Sequence, residues 1–405
     1  MDNNGLITCD FLIIGGGLIG INTARCLKKT FSDAKIIVLE KENQCGLHAS
    51  GRNSGVLHAG FYYTRDSLKA KFTRNGNQML HDYCEEKNIP LNQCGKLVVA
   101  KNAEDLETLD ELLTRGKNNG VTLHALTEKE AEELEPRART FERALFSPNT
   151  SSVNPQKVLD HMQKDAEREG VHIHLNTSYL KRKNNHIILT SKGKYAAGYV
   201  VNAGGLYADK IALQFGFSKN YRILPFKGIY LYSNEPAFSF RTHIYPVPDL
   251  KNPFLGVHFT ITSDGNAKIG PTAIPAFWRE QYDFFSRFKL NECLEIIKRQ
   301  IGLCLFSQFD FKKLALEEIK KYSKNHLVNL ASFLAKGIKK ENFTTFGAPG
   351  IRAQLLNIQE KKLEMDFILE GDKKSMHILN AVSPGFTSCL PFAEHVANKI
   401  RQVLH

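Results

Sequence analysis

The chain of 405 residues has no long apolar run, no closely spaced cysteine pair, no internal repeat and a single tryptophan. No stretch approaches the ~18–20 apolar residues needed to span a bilayer, so no membrane-crossing helix is expected. The eight cysteines are scattered and none stands in a C-x-x-C pair. That spacing argues against structural zinc and against a disulfide scaffold, and leaves reduced, mostly buried thiols in a cytoplasmic protein as the expectation. Basic residues are missing ahead of the first apolar stretch, where the only side-chain charges before Phe11 are Asp2 and Asp10. Three glycines then interrupt it, so the pattern is not that of a secretory signal. Acidic residues are in deficit, 42 against 54 basic, which leaves a net charge of +12. An excess of that sign favours an anionic partner: nucleic acid, a membrane surface or an acidic metabolite. With 42% hydrophobic residues the chain is not of the disordered class. Its length suggests two or three domains.

What is present begins with a strand–turn–helix–strand. Asp10–Ile14 is a short apolar run suited to a strand buried on both faces, residues 18–29 carry helical apolar spacing, and Ile36–Leu39 is a second buried strand. Between the first strand and the helix lies Gly15-x-Gly17-x-x-Gly20. In such a turn Gly15 permits the tight bend, Gly17 a close approach of pyrophosphate, and Gly20 close packing of helix on strand. Glu40 ends the second strand, placed to accept the ribose hydroxyls of an adenosine. A second fingerprint is absent. Immediately after Glu40 and Lys41 comes a small, hydroxylated segment from Ala49 to Gly60 that includes Ser50, Arg52, Asn53, Ser54 and Gly55. Such residues can line the extended pyrophosphate and ribityl chain of FAD, for which a nicotinamide enzyme has no use.

These residues resemble a known family. Glu40 followed by GRNSGVLHAGFYY (51–63) looks like the D-amino-acid-oxidase superfamily of FAD enzymes, and within it the L-2-hydroxyglutarate dehydrogenases and oxidases. The likeness continues through Ser67–Ala70, Gln93–Leu97, Asn202–Asp209, Tyr245–Asp249, Phe254–Thr260 and Gly350–Gln354, nearly end to end and in order. There are departures. Lys227 stands in Phe226-Lys227-Gly228-Ile229-Tyr230 where the family pattern has an arginine, which loses a rigid bidentate fork for a carboxylate. Ser151–Asn154 and Asn202–Gly204 also differ from the pattern.

The resemblance implies an α/β architecture: a discontinuous Rossmann-like FAD domain and an α+β substrate domain with a mixed sheet and a helical insertion. The expected partition assigns 1–90, 147–222 and 345–405 to the FAD domain, and 91–146 and 223–344 to the substrate domain. It further implies oxidation of L-2-hydroxyglutarate to 2-oxoglutarate by hydride transfer to flavin N5, with electrons passed on to a quinone or oxygen. Ala203, Gly204 and the turn Gly385-Phe386-Thr387, ahead of a last helix expected from about Thr387, join the cofactor residues. Arg352, in Gly-Ile-Arg, is the candidate for a substrate carboxylate, with Tyr62, Tyr63, Lys227 and Tyr245 as further substrate contacts. Two histidines are candidates for the base that takes the hydroxyl proton, His58 and His258. Against that, His58 reads equally as a structural ligand to the flavin, and His258 as a satisfied strand histidine. His172 and His174 share a face, but further ligands are lacking and no metal is expected.

The rival within the superfamily is an amine-oxidising enzyme. Nucleic-acid binding has no motif to support it. Residues 281–342 read as helical and carry 12 Lys/Arg against 7 Asp/Glu, an excess of 5. Two readings stand for them: a solvated helical cap, or a basic, aromatic-bearing insertion that docks peripherally on anionic lipid.

Overall fold

In a computed structural model the chain is described over residues 6–184, 186–250, 254–307 and 309–404, and it divides into two compact units. One comprises 1–53, 155–225 and 352–405, the other 54–154 and 226–351.

The first unit is built on a largely parallel sheet. Leu6–Ile14 lies between Gly193–Asn202 and Ile36–Leu39, parallel to both, and Ile36–Leu39 pairs in turn with His172–His174. Ser375–Asn380 runs parallel on the other side of Gly193–Asn202. All four residues of Ile36–Leu39 are buried, as expected of a strand covered on both faces. The sheet's hydrophobic core includes Leu12, Ile14, Ile37, Leu39 and Val200. The helix Leu18–Thr30 buries Leu18, Ile21, Ala24 and Leu27, a three-residue spacing that forms one stripe. It packs against the helices Pro155–Arg168 and Cys389–Leu404. The last helix therefore starts two residues later than expected. The Ser388 N–H bonds to the Pro384 carbonyl and closes a turn ahead of it.

The second unit holds an eight-stranded mixed sheet in the order 343–346, 231–233, 267–270, 258–261, 243–246, 96–99, 143–147, 124–127. Strand alternation sorts its side chains onto two faces. Leu97, Val99, Ile244, Phe259, Ile261 and Ile269 face a core that includes Leu327, Val328 and Ala331 of the helix Lys324–Ser332. Val98 and Tyr245 face the other way, toward Phe61, Tyr62 and the helix Glu104–Asn118 through Leu109 and Leu112. Lys96, His243, His258 and Lys268 alternate with the first set and so belong to this second face. The helix Glu128–Leu134 begins with the expected capping box, Thr127 with Glu130.

Of the stretches assigned from sequence to the dinucleotide-binding half, 54–90, 147–154 and 345–351 fall instead in this unit, whereas 223–225, assigned to the substrate half, fall in the first. For 54–90 and 147–154 the cause is local pairing, a small sheet of Val56–Leu57, Ser151–Val153 and Leu91–Asn92, reinforced by polar ties. The Asn77 amide donates to the carbonyls of Leu57 and Asn149, and Asn119 donates to those of Gly60 and Tyr63. The helices 290–306, 311–320 and 324–332 bear out the helical reading of 281–342. No helix among the described residues is long and apolar enough to cross a membrane.

Candidate active site

In the first unit the cofactor candidates converge where the parallel strands end. Ile14 and Asn202 are register partners, so Gly15 and Ala203 leave adjacent strands side by side. Gly15 has φ +116°, and a Cβ there would stand 2.4 Å from the Ala203 carbonyl oxygen. At Gly20 a Cβ would meet the Gly15 carbonyl at 2.0 Å, which is the helix-on-strand approach the fingerprint predicts. Gly17 caps the helix without a side-chain bond, and the first turn contains no acidic residue. An anion placed there meets backbone donors and the positive end of the helix without carboxylate repulsion.

Glu40 is buried beside this turn. One of its oxygens accepts the Gly16 N–H at 2.9 Å and the other the Glu42 N–H at 3.0 Å. Burial raises its pKa, and those two backbone donors pull against the rise. Two bonds leave part of a carboxylate's acceptor capacity for hydroxyl donors. Ser50 Oγ accepts the Leu18 N–H at 3.0 Å and so holds the segment against the helix start. Arg52 Nε donates to the Leu47 carbonyl and Asn53 Nδ2 to the Ser50 carbonyl. These two residues build the turn through their own side chains. Lys41 pairs with Glu42 at 3.3 Å and lies over the Tyr207 ring. The Gly204 N–H bonds to the Asn202 side chain, and Gly385 is packed so that a Cβ would stand 2.1 Å from the Ala381 carbonyl. Phe386 and Thr387 follow in the same turn, Thr387 fully buried. Arg352 is half-buried on the strand Gly350–Asn357. A glycine cradle at a helix start, an adjacent buried carboxylate and the strand ends around them fit the pyrophosphate and ribose of FAD.

Two predicted cofactor residues, Ser54 and Gly55, belong to the second unit. The Ser54 carbonyl accepts Lys268 Nζ at 3.2 Å, and the Gly55 carbonyl accepts the Val153 N–H. In that unit the structure gathers the buried Tyr62, Tyr245 and His258 and the half-buried His58 into one cluster. The Tyr245 and His258 rings are stacked at 3.7 Å. His258 Nδ1 lies 3.0 Å from the Gly256 carbonyl. A carbonyl only accepts, so Nδ1 carries the proton and Nε2 keeps its lone pair. Burial holds the imidazoles of His58 and His258 well below the usual histidine range. Lys96, when protonated, adds to both effects. Tyr62 and Tyr245 are pushed up by burial and stay protonated.

Tyr63, half-buried, has Lys69 over its ring at 5.8 Å. Lys227 sits half-buried on the strand Tyr221–Gly228, its pKa lowered by burial and partly restored by Asp283.

Two residues of this cluster were not singled out in the sequence. Lys96 is completely buried, with Nζ 4.4 Å from the ring centre of Tyr62, 4.6 Å from that of Phe61 and 4.9 Å from that of Tyr245. Lys268 is buried over the rings of Tyr230 and Tyr232. Burial lowers Lys96 to about 7 and Lys268 to about 8. The signal was a lysine at an inward position of a strand whose neighbours are apolar. His243, also buried here and lowered to about 3, is fully engaged: Nδ1 accepts the Ile261 N–H and Nε2 meets Cys94 Sγ.

Comparison with known proteins shows the family and the fold. Residues 10–398 match the family model described as FAD dependent oxidoreductase. Among curated proteins, the mitochondrial L-2-hydroxyglutarate dehydrogenase of Bos taurus is 35% identical, covering 97% of this chain and 89% of that protein. The L-2-hydroxyglutarate dehydrogenase of Escherichia coli K12 is 33% identical over 98% of this chain and 94% of its own. The fold is similar to that of L-alpha-glycerophosphate oxidase from Mycoplasma pneumoniae, with TM-score 0.74, 21% identity and coverage of 98% and 94%. Glycine oxidase from Geobacillus kaustophilus gives the same TM-score at 19% identity, covering 98% of this chain and 96% of that one.

Proposed function

The chain belongs to the FAD-dependent oxidoreductase family, and we propose that it oxidises L-2-hydroxyglutarate to 2-oxoglutarate. The observation that carries the chemistry is the fixed tautomer of His258, whose Nε2 is a ready acceptor in a buried, cation-bearing pocket. Oxidising a secondary alcohol requires removal of a hydroxyl proton and a hydride from the same carbon. FAD, when bound, supplies the hydride acceptor.

The protein's own groups do the rest. Gly15, Gly17, Gly20, Glu40, Ala203, Gly204 and the 385–387 turn hold the cofactor. His258 takes the hydroxyl proton on Nε2, and His58, its electrostatic neighbour, shapes the same pocket. Depressed imidazole pKa values keep both rings neutral at working pH, as a base must be. Arg352 is the candidate partner of one carboxylate and Lys227 of the other, and Tyr62, Tyr63 and Tyr245 are further candidate substrate contacts. A lysine at 227 holds its carboxylate as a point charge rather than through a fork.

The electrons leave to a membrane quinone, and residues 281–342 dock the protein on anionic lipid. Support comes from the helix Leu290–Phe306, which exposes Leu290, Leu294, Ile301 and Leu305 in one helical stripe. Phe284 and Phe285 stand 84% and 77% exposed ahead of it. Exposed Lys298, Lys312, Lys313 and Lys320 provide charge for lipid headgroups.

The decisive experiment is anaerobic bleaching of the flavin by a panel of 2-hydroxy acids and amino acids, followed by readmission of oxygen or addition of a quinone analogue. Bleaching by L-2-hydroxyglutarate and rapid reoxidation by quinone are expected. Bleaching by amines alone would replace this reading with the amine-oxidising one.

A further inference from the structure

Lys96 is an expensive residue. Its side chain is completely buried, and among the described residues its Nζ has no hydrogen-bond partner and no ion pair. An unpaired ammonium in a protein interior costs several kcal/mol, roughly, even after relaxation. The rings of Phe61, Tyr62 and Tyr245 surround it and recover part of that cost through cation–π attraction. A methionine or leucine would fill the same space without penalty, so packing does not account for a lysine here.

The titratable groups around it offer no counter-ion either. The neighbouring strand contributes His243 and Tyr245, the loop before it His58 and Tyr62, and the strands beyond it His258 and Lys268. All are neutral or cationic. Tyr245 links Lys96 to the proposed base, since the ring under Lys96 Nζ is the one stacked on His258 at 3.7 Å. Resting on the function proposed above, we infer that Lys96 is a positioning residue whose missing counter-ion is the substrate dianion. Substrate binding beside His258 therefore draws a proton onto Lys96.

The charge logic is direct. With burial lowering Lys96 to about 7, most molecules carry it neutral at pH 8. A negative charge brought within ~4–6 Å favours the ammonium and raises its pKa. The resulting cation stabilises the negative charge of the acid bound beside His258. Among the described residues no carboxylate pairs with Lys96.

The test uses the oxidised holoenzyme and 2-oxoglutarate, which binds without turnover. Binding is followed by perturbation of the flavin spectrum, and proton uptake by an indicator dye in weakly buffered solution. At pH 8 the wild type is expected to take up more than half a proton per flavin, and close to none at pH 5.5, where Lys96 is already charged. K96M should bind 2-oxoglutarate at least tenfold more weakly and take up no proton. Should K96M fail to fold, K96R, which is charged throughout, should bind the acid without proton uptake. Wild-type binding at pH 8 without uptake overturns the inference, as does uptake that persists in K96M or K96R, which would assign the proton to Lys268. A wild type that is bleached by amines and shows no spectral response to 2-oxoglutarate would instead overturn the function on which the inference rests.

Discussion

His258 and Gly256 are joined by a 3.0 Å hydrogen bond in which the imidazole Nδ1–H donates to the glycine carbonyl. Gly256 has φ +71°, a conformation that favours glycine. The backbone turn thus orients the carbonyl that sets the tautomer of the ring two residues on. His258→Gln keeps a polar side chain of similar reach but cannot act as a base. It should lower kcat/KM by ~10²–10⁴-fold, the usual contribution of a positioned general base. Flavin content and the thermal midpoint should change little. Steady-state kinetics on the FAD-loaded variant decide the matter, and retention of full kcat/KM would transfer the role to His58, tested by the matching substitution.

Several histidines are buried neutral, and this couples stability to pH. His377 is lowered to about 4 and His243 to about 3, chiefly by burial, against an ordinary value of 6.5. Below pH 6.5 the unfolded chain binds protons that the folded chain refuses, so stability falls as pH falls. The loss continues to about pH 4 for His377 and about pH 3 for His243. Each group contributes a slope of up to about 1.4 kcal/mol per pH unit in its window. Thermal melts at pH 7 and pH 5 should show a marked drop in Tm. His377→Asn, which preserves a partner for Asn202, should flatten that dependence, and an identical drop would count against the assignment.

Much of the dinucleotide half was legible because its signals are local. Gly15, Gly17, Gly20 and Glu40 lie within one βαβ unit, and the conformations they need follow from chain geometry over a few residues. The second half was less legible because its contacts are not local. Residues 54–90 were assigned to the wrong unit since the ties of Asn77 to Asn149 and of Asn119 to Gly60 span 72 and 59 positions. Lys96 was passed over for a related reason. A lysine at the start of a strand reads as a solvated edge, and only the rings of Phe61 and Tyr245, brought from distant segments, reveal its burial. His58 and His258 were recognised as candidates, but their roles depend on tautomer and field, which no spacing encodes.

Glu40 has two tasks, and they can be separated. Its oxygens hold the Gly16 and Glu42 N–H groups, and its remaining acceptor capacity faces the proposed ribose. Glu40→Gln retains one acceptor oxygen and similar volume, whereas Glu40→Ala leaves both backbone donors without their side-chain partner. FAD affinity should fall by ~10-fold in the first and ~100-fold in the second, about 1.4 and 2.8 kcal/mol, in keeping with charge-assisted bonds of this type. Quenching of flavin fluorescence on reconstitution of the apoprotein measures this. Equal affinities for all three proteins would remove Glu40 from the cofactor site.

The exposed face of 281–342 makes a further prediction. Leu290, Leu294, Ile301 and Leu305 form a stripe along one helix, and an exposed stripe of large apolar side chains costs solubility unless something covers it. The neighbouring lysines would repel a basic partner and attract an anionic one. Vesicles containing phosphatidylglycerol should therefore bind the holoprotein at low salt, and neutral vesicles far less. Raising the salt to ~1 M shortens the screening length to ~3 Å and should weaken the electrostatic part. Replacing Leu294 and Leu305 by Ser should reduce binding at every salt concentration, whereas replacing Lys312 and Lys313 by Glu should reduce it mainly at low salt. Both sets lie on the helical insertion, away in sequence from the flavin fingerprint, so bleaching by substrate should survive while reoxidation by vesicle-embedded quinone slows. Unchanged reoxidation in both variants would return 281–342 to the status of a solvated cap.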